Sequence, residues 1–295
     1  MMKYADYAWE MTEKLMAIDS PSGYTARAAQ WVKEAFEALG FESSITTKGG
    51  VLVDLGGTDE KDALLLEAHT DTLGCMVSEI KGNGRLRLTP LGGMNPNNAE
   101  AENVRIYTRS GKVYEGTCQL CNASVHVNGD YSSTARKWDT MEIVLDEDVS
   151  SAADTRALGM EVGDIVCFDP RTRRTGSGFL KSRFLDDKLS VGILLGFAKY
   201  LSDNGIVPSR KVYVHVTVYE EVGHGGSASV PAGVTEAISV DMGCVGDGLS
   251  CTERECSICA KDSGGVPWTI ATYSFTRLPS CTALERAAAA ALVRA

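Results

Sequence analysis

Apolar residues recur with two different periods along this chain, and the switches between them outline its organisation. From Tyr4 to Ile18 and from Ala26 to Leu39 they return every three or four positions. This spacing predicts two amphipathic helices, joined by the Ser20-Pro-Ser-Gly23 turn. Ala63-Leu-Leu-Leu-Glu-Ala68 is a short apolar run bounded by charge and predicts a buried strand. From about Cys75 to Asp164 the pattern changes to short alternating runs broken by Gly, Asn and charge, such as Arg85-Leu-Arg-Leu-Thr89, Val104-Arg-Ile-Tyr-Thr108 and Met141-Glu-Ile-Val-Leu145. These predict a small β-domain. From about Ile165 the α/β pattern resumes. It includes the helix-like segment Leu189 to Leu201, the alternating run from Lys211 to Tyr219 and the strand-like Ala237-Ile-Ser-Val240. The expected organisation is an α/β domain from residues 1–74 and 165–295, interrupted by a β-domain at 75–164.

The polar residues that end these runs carry the candidate chemistry. Lys211 to Tyr219 runs into two adjacent carboxylates, Glu220 and Glu221, and then a glycine-rich turn, Val222-Gly-His-Gly-Gly226. Strand ends are where α/β enzymes keep their chemistry. Adjacent side chains on an extended backbone diverge, so one acid can bind a metal while the other handles a proton. The run at 63–68 ends in His69-Thr-Asp71. A histidine there can bind a metal while the aspartate fixes its ring. Asp186, followed by Asp187, sits where the apolar helix begins, and a carboxylate at the position of Asp186 can bridge two cations. Asp241 follows Val240. Each has an ordinary reading when taken singly: His69 as a core histidine, Asp186 or Asp187 as a helix cap, Asp241 as a turn residue, the Glu pair as solvated surface. Four such sites after apolar runs in one α/β pattern point to a common centre.

The order His-x-Asp, Asp, Glu-Glu, Asp resembles the ligand order of co-catalytic dinuclear zinc aminopeptidases. With Ser20-Pro-Ser-Gly-Tyr24, His69-Thr-Asp-Thr-Leu-Gly74, Ser182-Arg-Phe-Leu-Asp-Asp-Lys188, Glu220-Glu-Val-Gly223 and Lys261-Asp-Ser-Gly-Gly265, the chain resembles the TET-type aminopeptidases. That family includes glutamyl and deblocking aminopeptidases and endoglucanase-M-like peptidases. The resemblance covers about residues 1 to 265. It implies an α/β metallopeptidase domain with a mixed sheet in three layers. The inserted β-domain would serve homo-oligomerisation, from a dimer up to a dodecameric shell. It implies that His69 and Asp241 hold one metal, Asp186 bridges both, and Glu221 holds the second. Glu220 would be the general base and Asp71 would orient His69. Oxygen and nitrogen ligands suit two divalent ions such as zinc or cobalt. The implied reaction removes N-terminal residues from short peptides. Two alternatives stand beside it: hydrolysis of another small amide or N-acyl peptide, and a member with impaired catalysis.

The third reading has a specific basis. The family closes its second metal site with a late histidine, and this chain has four histidines, His69, His126, His215 and His224. Without that ligand the second site is expected to be incomplete. After Gly265 the sequence also changes character and ends in the alanine-rich run Cys281 to Ala295. An atypical tail over 266–295, from a truncated or frameshifted reading frame, is the expectation.

Composition narrows the rest. The 295 residues carry 29 basic and 39 acidic side chains, for a net charge of −10, so nucleic acid is a poor partner. No apolar stretch is long enough to span a membrane. The N-terminus lacks the apolar core of a signal peptide, and nine cysteines in apolar contexts suit a reducing compartment, so a cytoplasmic protein is expected. Cys118/Cys121 and Cys256/Cys259 have C-x-x-C spacing, but the pairs lie too far apart for a zinc ribbon and read as structural thiols.

Overall fold

The structure is a computed structural model that describes residues 2–227, 229–249, 252, 256–259 and 271–275. The chain runs through α1 (Met2–Met16), α2 (Ala26–Glu37), β1 (Glu42–Ile45), β2 (Val51–Asp54) and β3 (Ala63–His69). It continues through β4 (Gly74–Ile80), β5 (Leu86–Leu91), β6 (Glu102–Tyr107), β7 (Val113–Leu120), β8 (Met141–Leu145), α3 (Ala152–Ala157) and β9 (Ile165–Phe168). The short pair β10 (Arg173–Arg174) and β11 (Leu180–Lys181) leads to α4 (Leu185–Asn204), β12 (Val212–Thr217), β13 (Val234–Asp241), β14 (Cys256–Cys259) and β15 (Ala271–Phe275).

Two compact units emerge, Met1–Asp71 with Thr172–Ala295, and Thr72–Arg171. The expected edges were 74/75 and 164/165. The second edge falls later because β9 pairs with β4 and β6 rather than with the α/β sheet.

The first unit is a mixed α/β fold around a seven-stranded sheet of order β1-β2-β12-β3-β13-β15-β14. β12 and β13 both run parallel to β3. The mostly apolar composition of β3 and β12 follows from burial inside the sheet. Val53, Leu64, Leu66, Val214, Val216, Ile238 and Val240 join one core with α1, α2 and α4. The two-residue period of β3 and β12 puts Leu64, Leu66, Val214 and Val216 on one face of the sheet. Within the tail at 266–295, residues 271–275 form β15, parallel to β13. The alanine-rich run lies outside the described residues, as do the side chains of Cys256 and Cys259.

α4 is apolar around most of its circumference, as a helix buried on several sides must be. It lies against α1 through two glycines one turn apart. A Cβ on Gly196 would stand 3.0 Å from the Ala8 Cβ and the Tyr4 carbonyl, and one on Gly192 would stand 2.0 Å from the Thr12 hydroxyl. Lys188, on the same helix, is 1% exposed and donates to the carbonyls of Leu15 and Ile18, so its charge offsets the negative end of α1.

The second unit is a closed barrel, β4-β5-β8-β7-β6-β9. Alternate residues such as Val77, Leu86, Leu88, Ile106, Leu120, Ile143 and Phe168 fill it. Cys75 and Cys118 are buried among them, and burial raises both thiols, Cys118 to about 12. They are structural thiols, not reactive ones.

Gly192→Ala sets two effects against each other. Alanine gains roughly 1 kcal/mol of helix propensity, but its methyl meets Thr12 and the Ala8 carbonyl, and overpacking costs typically 1–3 kcal/mol. Clash wins, so the variant should unfold at lower urea concentration than the parent.

Candidate active site

Parallel pairing of β12 and β13 with β3 puts the carboxyl ends of all three strands at one edge, with Thr217 opposite His69 in the register. β3 ends in His69 and β13 in Asp241. Past β12 the chain makes a single helical turn over Glu220–Val222, closed by Gly223 at φ 76. α4 begins beside them. Its entry residue, Phe184, is left-handed at φ 61, a conformation that costs a residue with a Cβ roughly 1–2 kcal/mol. Asp186 and Asp187 follow with non-helical backbone angles, so they leave the helix axis before regular α4 begins.

His69 is the centre of the group, 1% exposed. Its Nε2 lies 3.0 Å from Asp186 Oδ1, 3.6 Å from Glu220 Oε2 and 3.9 Å from Asp241 Oδ2. On the other side of the ring, Nδ1 stands 2.9 Å from the Asp71 carbonyl and 3.4 Å from its carboxylate. The shorter contact is the one to the backbone. The carboxylate of Asp71 is engaged elsewhere. It accepts the Ser22 hydroxyl at 2.5 Å and the backbone N–H groups of Glu220 at 3.2 Å and Glu221 at 3.3 Å.

All six predicted site residues thus lie in one unit. Four of them surround His69 directly, and Glu221 enters through its electrostatic coupling to Asp186. Asp187 was read only as a cap and sits deeper than expected. It is 1% exposed, its Oδ2 accepts the His69 N–H at 3.0 Å, and its Oδ1 is buried with no hydrogen-bond partner. Its position after Asp186 at a helix start is the sequence feature that marks it. Lys48 was not singled out either. Its ammonium binds the carbonyls of His224, Gly225 and Ser227, tying the glycine-rich turn to the β1–β2 hairpin. His215 pairs with Glu67 at 2.9 Å, as its strand parity suggests, and His126 and His224 are exposed.

Charge is the dominant feature of this site. Burial pushes Glu221 up to about 7, and the neighbouring Asp186 carboxylate adds to the rise. Burial does the same to Asp241, to about 6, again with Asp186 repelling its charge. Asp187 rises well above the carboxylate range through burial and the charge of Asp241. Burial opposes a charge on His69, yet hydrogen bonds to Asp186 and Asp71 hold its pKa well above the usual histidine. Burial acts against Asp71 too, but His69 and Ser22 bond its ionised form and lower it. The group therefore holds more negative charge than its protein partners neutralise. Ligand atoms of His69, Asp187 and Asp241 lie within 4.8 Å of one another, close enough to share one ion. One imidazole with several carboxylates is a donor set for zinc, cobalt or manganese. A divalent cation fits these residues.

A profile of the M42 glutamyl aminopeptidase family matches residues 49–277. The chain belongs to this family. The match extends past residue 265, where the resemblance was expected to end. The Bacillus subtilis (strain 168) protein YhfE is 41% identical over 256 residues, 87% of this chain and 74% of YhfE. Among solved structures, aminopeptidase APDkam598 of Desulfurococcus kamchatkensis superposes with a TM-score of 0.74 at 24% identity, over 86% of this chain and 70% of that one. The TET1 peptidase of Pyrococcus horikoshii gives 0.70 at 22% identity, over 83% and 73%. These two show the fold. Membership in the M42 family makes the chain an aminopeptidase-type hydrolase.

Raised pKa values at this site carry a sign. Glu221, Asp241, Asp187 and His69 all bind protons more tightly folded than unfolded. The folded chain then holds the extra protons between the ordinary carboxylate range and about pH 7, so stability falls as pH rises through that window. A cation replaces those protons. Thermal melts of chelator-treated protein should drop from pH 5 to pH 8, and Asp241→Asn or added zinc should flatten that slope.

Proposed function

We propose that this chain is a metal-dependent aminopeptidase that hydrolyses N-terminal residues of short peptides. The observation that carries this reading is the convergence of Asp186, Glu220 and Asp241 within 3.9 Å of His69 Nε2 at the carboxyl ends of parallel strands. His69 and Asp241 would hold one divalent ion, Asp186 would serve both ions, and Glu221 would hold the second. When bound, such ions lower the pKa of a water and polarise the scissile carbonyl. Glu220 is the acid best placed for proton transfer. Its side chain is 46% exposed, so peptide and solvent reach it, and its N–H is pinned by Asp71. It takes the proton of the attacking water and delivers it to the leaving amine. Asp71 holds the turn that carries this base, and its carbonyl holds the His69 ring.

Asp187 supports the same centre from below. One of its oxygens fixes the backbone of His69, and the residue offers a ligand atom within 4.8 Å of those of His69 and Asp241. Among the described residues of the first unit, Asp186 and Glu221 are the side chains we assign to the second ion, and His215 is paired with Glu67 instead. Firm zinc binding takes about three protein ligands. One ion should therefore be held tightly and the other loosely. The barrel unit, residues 72–171, is proposed as the surface through which copies associate, in line with the tetrahedral and octahedral assemblies of the TET1 peptidase. No helix among the described residues is long and apolar enough to cross a membrane. The free thiols of Cys75, Cys118, Cys121, Cys167 and Cys244 fit a cytoplasmic setting.

Elemental analysis after dialysis against trace zinc should find one ion per chain, with a second entering only under excess metal. Two firmly held ions would show that another residue completes the second site. Glu220→Gln should lower kcat on aminoacyl amides by about 10²- to 10⁴-fold while metal content stays the same. Unchanged turnover in that variant would overturn the role of Glu220. Turnover of N-acylated substrates but not free-amine ones would move the reading to another amide hydrolase.

A further inference from the structure

Ser22 has a place in the site that the metal ligands do not explain. It lies in the Ser20-Pro-Ser-Gly23 turn between α1 and α2, far from every strand end in sequence, yet it is 6% exposed and points at Asp71. Its hydroxyl donates to Asp71 Oδ2 at 2.5 Å, the shortest contact that carboxylate makes. The other three are longer: 3.2 Å from the Glu220 N–H, 3.3 Å from the Glu221 N–H and 3.4 Å from His69 Nδ1. At 2.5 Å the Ser22 contact has the length of a well-formed O–H hydrogen bond to a carboxylate, whereas the contacts at 3.2–3.4 Å are long for N–H donors, so Ser22 is the best-formed anchor of the Asp71 carboxylate. The two glutamate amides then hang on a carboxylate that Ser22 has fixed.

The turn that carries Ser22 is itself held at several points. Ser20 Oγ donates to the Thr70 carbonyl at 2.6 Å, which couples the turn to the end of β3. The Tyr24 N–H reaches the Pro21 carbonyl at 2.7 Å, with Gly23 at φ 88 allowing the chain to close. Upstream, the Ile18 carbonyl accepts buried Lys188, the residue after Asp187. One short segment thus contacts the start of α4, the end of β3 and, through Asp71, the turn that follows β12. Those three places supply Asp186, His69 and the Glu220–Glu221 pair.

We propose that Ser22 is a positioning residue that fixes the Glu220–Glu221 turn through the Asp71 carboxylate. The inference rests on the aminopeptidase reading for its effect on turnover, but its effect on the turn stands on geometry alone. Removing the hydroxyl leaves Asp71 without its best-formed hydrogen bond and lets the carboxylate rotate. The turn that carries Glu220 and Glu221 then loses its anchor, while His69, Asp186 and Asp241 keep theirs. Outer groups of this kind typically contribute roughly 10- to 100-fold to activity.

Two measurements on the full chain test this. Ser22→Ala should lower kcat by roughly 10- to 100-fold with KM little changed. In the metal-free protein it should raise amide hydrogen exchange in the peptide covering residues 218–223 while α1 and α4 stay protected. Ser22→Thr, which keeps the hydroxyl, should restore both. Exchange at 218–223 equal to that of the parent overturns the proposal, as does a loss of protection spread over the whole unit that threonine does not rescue. An inactive parent enzyme would count against the aminopeptidase reading instead, and the exchange result would still decide the role of Ser22. Should the alanine variant fail to fold, Ser22→Cys has the same shape and a weaker donor and should fall between serine and threonine on one side and full loss on the other.

Discussion

Too much negative charge in too little space is the constraint on which the first unit turns. Parallel strands end together, so any acid placed at one strand end faces acids at the next. Here Asp186, Glu220 and Asp241 all approach one buried imidazole. Burial, with Coulomb repulsion between neighbouring carboxylates added to it, outweighs what one imidazolium returns, and Glu221, Asp187 and Asp241 answer by holding protons more tightly. A chain that only had to fold would gain by replacing these groups with apolar ones. The site is therefore kept at a cost to the bare fold, and a cation is the partner that removes the cost.

The rest of the unit holds this strained edge still. Gly192 and Gly196 let α4 lie close on α1, which fixes the start of α4 and with it Asp186 and Asp187. Lys188 binds the end of α1 from that same start. Arg210, 7% exposed, gathers Asp62 and Glu236 at the opposite end of the sheet and ties the beginnings of β3 and β13. Strand ends that carry the chemistry are thus held by contacts made both beside them and a strand length away.

Much of this was legible in the chain itself. The helical period at 26–39 became α2, and the apolar run at 63–68 became β3 with His69 as its last residue. The alternating run at 211–219 shortened to Val212–Thr217, because its last residues bend toward the turn. All six site residues share one unit, as their common context suggested. Contacts across long sequence gaps were not legible. Ser22 meets Asp71 across 49 residues and Asp187 meets the His69 amide across 118, and no local period encodes either. The pairing of β9 escaped for the same reason. Four apolar-leaning residues read equally well as an α/β strand or a barrel strand until their hydrogen-bond partners are known.

The barrel unit has a property that follows from closure alone. Every strand in it has a neighbour on both sides, so no strand of the unit is a free edge along its whole length. Closure makes joining it by adding a strand unfavourable. Whatever meets its outer surface meets side chains only, and side chains on a barrel exterior can change without disturbing the hydrogen-bonded ring beneath. The chain can thus alter what this unit adheres to, and how tightly, by surface substitution alone, while the fold that presents those surfaces stays the same.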